Sequence, residues 1–142
     1  MVPTKQINKT LVIGTIGSDA HVIGSYVMTL ALKEAGFNVV NLGAMVVQQE
    51  FIDAAVESNA DAILVSSLYG MGVLDCEGLR ERCEEAGIGD IKLYAGGILT
   101  ATEFPWEDVV ERFKKLRFDR AYPPATLPET FIEDLKADLK IA

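Results

Sequence analysis

Short apolar runs alternate with longer amphipathic stretches along this chain. Thr10 to Ile16 is compact, β-branched and closed by Gly17, the pattern of a buried strand. Val22 to Ala35 has helical spacing, with Ile23, Val27, Leu30 and Ala31 on one side and Gly36 behind it as a C-terminal cap. Phe37 to Leu42 predicts a second strand. Gln48 to Ser58 predicts a second helix with Phe51, Ile52, Ala55 and Val56 as its apolar stripe. Ala62 to Ser66 is a continuous apolar third strand. Leu74 to Ala86, followed by Gly87, predicts a third helix, and Ile91 to Ala95 a fourth strand. Pro105 to Lys115 suits a fourth helix: Pro105 fits a first turn, and Glu107 and Asp108 sit at the positive end of its dipole. A short fifth strand near Asp119 to Tyr122 and a closing helix from Pro128 to Lys140 complete the pattern.

Five β-α units with short connections imply a parallel sheet with helices on both faces. Right-handed crossovers make it doubly wound, with one domain over residues 1–142. Ligands of such sheets lie outside the carboxyl ends of the strands, near the switch in strand order. The loops after strands one, three and four are therefore where chemistry is expected.

Composition narrows the classes of partner. The formal net charge is −8, which repels phosphate backbones and anionic membrane surfaces, so neither nucleic acid nor membrane is expected. No apolar run approaches the roughly 18 residues of a membrane span. Lys5 and Lys9 ahead of Leu11-Val12-Ile13 imitate a signal peptide, but the run is short and broken by Gly14 and Gly17, which reads as a first strand. A cytoplasmic location follows as an expectation. Cys76 and Cys83 fall two turns apart near one face of the third predicted helix, too far to bridge, and are expected to be reduced structural or surface thiols. There is no C-x-x-C and no Cys/His cluster suited to zinc.

After strand one comes Gly17-Ser18-Asp19-Ala20-His21-Val22-Ile23-Gly24, holding the only histidine. An aspartate two residues before a histidine can accept its Nδ1 proton, leaving Nε2 free to ligate a metal. A solvated loop histidine beside a helix-capping Asp19 or Ser18 satisfies the same spacing. After strand three, Ser66-Ser67-Leu68-Tyr69-Gly70-Met71-Gly72 offers two hydroxyls and close-approach glycines, or an ordinary βα loop. After strand four, Gly96-Gly97-Ile98-Leu99-Thr100-Ala101-Thr102 leaves room for a bulky ligand, or is a glycine-rich turn.

Commoner sites are excluded by spacing. Gly14, Gly17 and Gly24 do not make the dinucleotide G-x-G-x-x-G, and there is no Walker lysine. Strand three ends in Ser66, where a response-regulator receiver needs an aspartate. No G-x-S-x-G elbow is present.

Taken together, the loops resemble the cobalamin-binding domain of adenosylcobalamin mutases and methylcobalamin methyltransferases. The motif D-x-H-x-x-G stands as Asp19-Ala20-His21-Val22-Ile23-Gly24, S-x-L as Ser66-Ser67-Leu68, and the glycine pair as Gly96-Gly97. Each is weak alone; in order, at the ends of the right strands, they are specific. Gly36-Phe37-Asn38-Val39-Val40-Asn41, Ala60 to Gly70 and Arg120-Ala121-Tyr122 further resemble the small-subunit family of glutamate mutases (methylaspartate mutases) over nearly the whole chain. Ile98 departs from the polar residue expected after the glycine pair, and Val46-Val47 from a more polar lead into the second helix.

The resemblance implies a flavodoxin-like (Rossmann-like) domain binding adenosylcobalamin base-off. His21 would be the lower axial ligand of cobalt, oriented by Asp19. Ser18, Ala20, Val22, Gly24, Ser66, Ser67, Leu68, Tyr69, Gly96, Gly97, Ile98, Leu99, Thr100, Ala101 and Thr102 would surround the cofactor, with its nucleotide tail in a slot beside the sheet and Ser66 hydrogen-bonded to it. It also implies an isomerase: radical interconversion of L-glutamate and threo-3-methylaspartate, with a large (epsilon) subunit choosing the substrate in an assembly of two small and two large subunits. The loops hold no arginine cluster for a dicarboxylate, in keeping with that division. A corrinoid shuttle for methyl transfer uses the same motif but carries a helical cap before the domain, and only residues 1–9 precede the first strand. A module that stores or senses cobalamin without catalysis is a further alternative.

Overall fold

The computed structural model describes residues 6–17, 23–67, 70–97, 99 and 105–141. Five parallel strands, β1 (Thr10–Thr15), β2 (Asn38–Asn41), β3 (Ala62–Ser67), β4 (Lys92–Gly97) and β5 (Arg120–Tyr122), lie in the order β2-β1-β3-β4-β5. Thr10 pairs with Asn38, Leu11 with Ala62, Ala62 with Lys92, and Tyr94 with Arg120. Strand order reverses at β1 and β3, the switch point beside which doubly wound sheets bind ligands. A bridge between Ile16 and Val46 extends the pairing past the end of β1.

Side-chain alternation divides the core in two. Val12, Ile63, Val65, Leu93 and Ala95 point toward α2 (Gln48–Ser58), α3 (Gly72–Asp75), α4 (Leu79–Glu85) and α5 (Trp106–Lys115), where Phe51, Ile52, Leu79, Val109 and Phe113 cover them. Leu11, Ile13, Leu64, Tyr94 and Tyr122 point the other way, toward α1 (Ile23–Glu34) and α6 (Pro128–Asp138), which supply Leu32, Phe131 and Leu135.

Two expectations are corrected. The stretch Leu74 to Ala86 is not one helix: α3 ends at Asp75 and α4 begins at Leu79, with Gly78 at φ +83° between them. The break lets Cys76, Leu79 and Cys83 all reach the core, and glycine takes the left-handed turn without a Cβ penalty. The Gln48 side chain donates to the carbonyls of Asp75 and Glu77, both at 2.7 Å, filling acceptors that the short helix leaves open. The cysteines therefore lie on separate elements; both are buried and free.

The second correction concerns α1. Val27 and Leu30 are 51% and 52% exposed, and Ser25, Thr29 and Leu32 face inward instead. At the start of α2, Val47 offers no side-chain acceptor, so Glu50 alone reaches back, to the Val47 N–H at 3.3 Å. Among the described residues, no helix is long and apolar enough to cross a membrane.

Candidate functional site

A cavity of about 330 Å³ opens on the α1/α6 face at the carboxyl ends of β1, β3 and β4. Its sheet side is Ile13, Leu64, Val65, Ser66, Tyr94, Gly96 and Gly97. One wall is the start of α1, with Gly24, Ser25, Val27 and Met28; the other is Pro123, Ala125, Thr126, Pro128 and Phe131, leading from β5 into α6. The volume lies in the range of small-molecule sites. The lining is aliphatic and aromatic with a few hydroxyls and no charged side chain, which suits a neutral heteroaromatic group with a polar edge.

Glycine keeps the space open at β4. A Cβ at position 96 would stand 3.2 Å from Phe131 Cζ, and Gly97 has φ +108°. The aromatic floor is anchored from behind. Tyr122 packs on Phe131 with centroids 4.0 Å apart, and on Tyr94 at 5.8 Å. The Tyr94 hydroxyl donates to Asp138 and the Tyr122 hydroxyl to Asp134 at 2.6 Å. Arg120 holds Asp138 with two bonds, at 2.8 and 3.0 Å. Burial, then the facing carboxylate, pushes both phenols well above their ordinary range. The Arg120 hydrogen bonds hold the Asp138 carboxyl below its own.

Of the residues named from sequence, Gly24, Ser66, Gly96 and Gly97 meet at this cavity. Ser67 and Leu99 lie on the opposite face: both are buried, and a Cβ on Gly72 would touch Leu99 Cδ2 at 2.8 Å and Ser67 Cβ at 3.2 Å. The Ser67 hydroxyl is without a hydrogen-bond partner among the described residues. Ser18 to Val22, Leu68, Tyr69, Ile98 and Thr100 to Thr102 lie outside the described residues. No group of three or more His, Cys, Asp or Glu among the described residues is placed to hold a metal.

Sequence reasoning missed the α1 residues Val27 and Met28, the floor formed by Tyr94 and Phe131, and the wall from Pro123 to Pro128. A signal for that wall existed. Pro123-Pro124-Ala125-Thr126 follows a strand at the carboxyl edge, where a rigid, small-residue loop leaves space.

Residues 9–112 match the family model described as the B12 binding domain. The glutamate mutase sigma subunit of Clostridium tetanomorphum is 52% identical over 133 residues, covering 94% of this chain and 97% of that protein. The sigma subunit of Carboxydothermus hydrogenoformans is 50% identical over 135 residues, 95% and 97% of the two chains. The chain belongs to the glutamate mutase sigma-subunit family. The match to the B12 binding domain makes cobalamin the cofactor class. Solved structures agree on the fold alone. A cobalamin-binding protein from Desulfitobacterium hafniense DCB-2 superposes with TM-score 0.74 at 17% identity, over 92% of this chain and 59% of that one. The methanol:cobalamin methyltransferase complex MtaBC from Methanosarcina barkeri gives 0.68 at 24%, over 90% and 46%.

Proposed function

We propose that this chain is the cytoplasmic, cofactor-holding component of an adenosylcobalamin-dependent glutamate mutase. It would act with a large epsilon-type subunit, two copies of each, to interconvert L-glutamate and threo-3-methylaspartate. One observation carries the reading: a chain that matches a sigma subunit over 94% of its length has a cavity at its β1/β3 switch point walled by Gly24, the last residue of its D-x-H-x-x-G segment.

The residues present fit the cofactor's tail. The cavity takes a flat heteroaromatic between α1 and the β5–α6 connection, with Ser66 at its edge to hydrogen-bond it and Gly96 and Gly97 leaving it room. His21 would hold cobalt through Nε2, with Asp19 accepting the Nδ1 proton to fix the tautomer and raise the ligand's basicity. Leu68, Tyr69, Ile98 and Thr100 to Thr102 would complete the surround. When bound, adenosylcobalamin supplies radical chemistry by homolysis of its cobalt–carbon bond, and the protein contributes position and shielding from water. The described loops carry no arginine pair for a dicarboxylate, so substrate recognition falls to the partner.

Titration with cobalamin, followed in the visible spectrum, tests this directly. The wild-type chain is expected to bind base-off with histidine on cobalt, and His21→Gly to lose that signature. Equal binding by the two would refute the ligand assignment. Mixing with a glutamate mutase epsilon subunit, adenosylcobalamin and L-glutamate should then yield methylaspartate; no product would sink the substrate assignment.

A further inference from the structure

Helix α1 packs Met28 and Leu32 against the sheet, yet it also turns two hydroxyl residues inward and leaves larger apolar groups outside. Ser25 and Thr29 are 2% and 5% exposed, while Tyr26, Val27 and Leu30 are each more than half exposed. A helix free to choose would bury the larger apolar groups. Local rules broken without an evident gain are expected at functional positions, and here a polar relay holds the unfavourable setting.

The relay runs through five residues. Thr29 Oγ1 donates to the Ser25 carbonyl at 2.8 Å and accepts from Asn41 Nδ2 at 2.8 Å. Asn41 Oδ1 accepts the Gly43 N–H at 2.7 Å, and the Gly43 carbonyl accepts the Thr15 N–H at 2.8 Å. Each group has one consistent role, so the bonds reinforce one another. The chain of bonds joins the last residue of β1 to the first turn of α1. Those are the two flanks of the segment that carries Asp19 and His21.

We propose that Thr29 and Asn41 are positioning residues for the cofactor. They lock the rotation of α1, which keeps the cavity open and fixes both flanks of the Asp19–His21 segment. Were α1 rotated so that Leu30 faced the sheet, Gly24, Ser25, Val27 and Met28 would leave their present places in the cavity wall. This role rests on the cobalamin reading above.

The test is Thr29→Val, which keeps shape and removes the hydroxyl, with Asn41→Leu beside it and Thr29→Ser as the conservative rescue. Asn41 is exposed, so its freed amide can turn to water and the melting temperature of Thr29→Val should stay close to wild type. Binding of cobalamin should weaken roughly three- to tenfold, the scale of one hydrogen bond, with a smaller histidine-on fraction in the spectrum. Thr29→Ser should restore both. In the cofactor-free chain, amide exchange should quicken across the first turns of α1 in Thr29→Val and Asn41→Leu and stay unchanged in α6. Undiminished binding by Thr29→Val, or exchange that quickens equally in α6, overturns the proposal. Should wild type itself show no histidine-on spectrum, the functional reading falls, and the exchange data still decide whether the relay sets α1.

Discussion

The two faces of this sheet are built to different standards. On the α2–α5 face, Phe51, Leu79, Leu93 and Phe113 close over the strands. Its one buried charge among the described residues, Arg80, is held by four hydrogen bonds: it donates to the carbonyls of Gly89, Ile91 and Arg117 and to Asp119, at 2.7 to 3.1 Å. On the α1/α6 face the packing is closed toward the amino ends of the strands, around Leu11, Leu32 and Phe37. Toward the carboxyl ends it opens into a cavity with a mostly apolar lining and a few hydroxyls. The difference separates two tasks that compete in a small protein. One face supplies stability, so the other can leave a cavity and two inward hydroxyl residues in place.

The largest effect that tests this contrast is truncation of a ring on each face. Phe113→Ala should cost about 3–5 kcal/mol in urea unfolding. Phe131→Ala borders space already open and should cost clearly less while weakening cobalamin binding in the titration. Equal costs would erase the distinction between the faces. Next, Arg80→Met should cost about 3 kcal/mol, because several acceptors lose their donor together, with no specific change in the cobalamin spectrum.

Asp138 gives a smaller, pH-dependent effect. Arg120 depresses its folded-state pKa, so the stabilisation is present above the unfolded carboxylate value of about 3.9 and is lost as pH falls through the folded one. Asp138→Asn should flatten the acid limb below about pH 4 by about 0.5–1 kcal/mol in urea midpoints. An unchanged limb would mean the Arg120–Asp138 pair does not anchor the floor. The smallest stability effect belongs to Ser66→Ala, within about 0.5 kcal/mol of wild type, accompanied by cobalamin binding weaker roughly three- to tenfold. Wild-type affinity in that variant would leave Ser66 outside the site.

Periodicity located all five strands and most of the helices, because β1, β2 and β3 are short runs rich in β-branched residues and α2 is amphipathic in the ordinary way. It failed where tertiary demands override local pattern. Gly78 falls inside the helical pattern from Leu74 to Ala86, yet the backbone turns left-handed there so that three side chains reach one core. Val27 and Leu30 mimic a core stripe, but the relay through Thr29 and Asn41 turns them outward, and no spacing rule encodes a contact between a helix and the strand after it. Ser66 and Gly96 were legible as pocket residues from their strand ends. Ser67, one residue on, faces the other way by the two-residue alternation, which its membership in a motif concealed. The far wall at Pro123 to Phe131 follows β5, away from the loops that carry motif residues.

That far wall has a consequence for the order in which the protein is made. The near wall of the slot comes from residues 13–28 and the far wall from residues 123–131, and everything between must be synthesised first. A ribosome-bound chain that has delivered β1, α1 and β3 has the motif but only half a pocket. Capture of a ligand's tail therefore cannot guide the early folding of this chain; it waits until the residues up to Phe131 have been made, and the first strands must hold their register without that help.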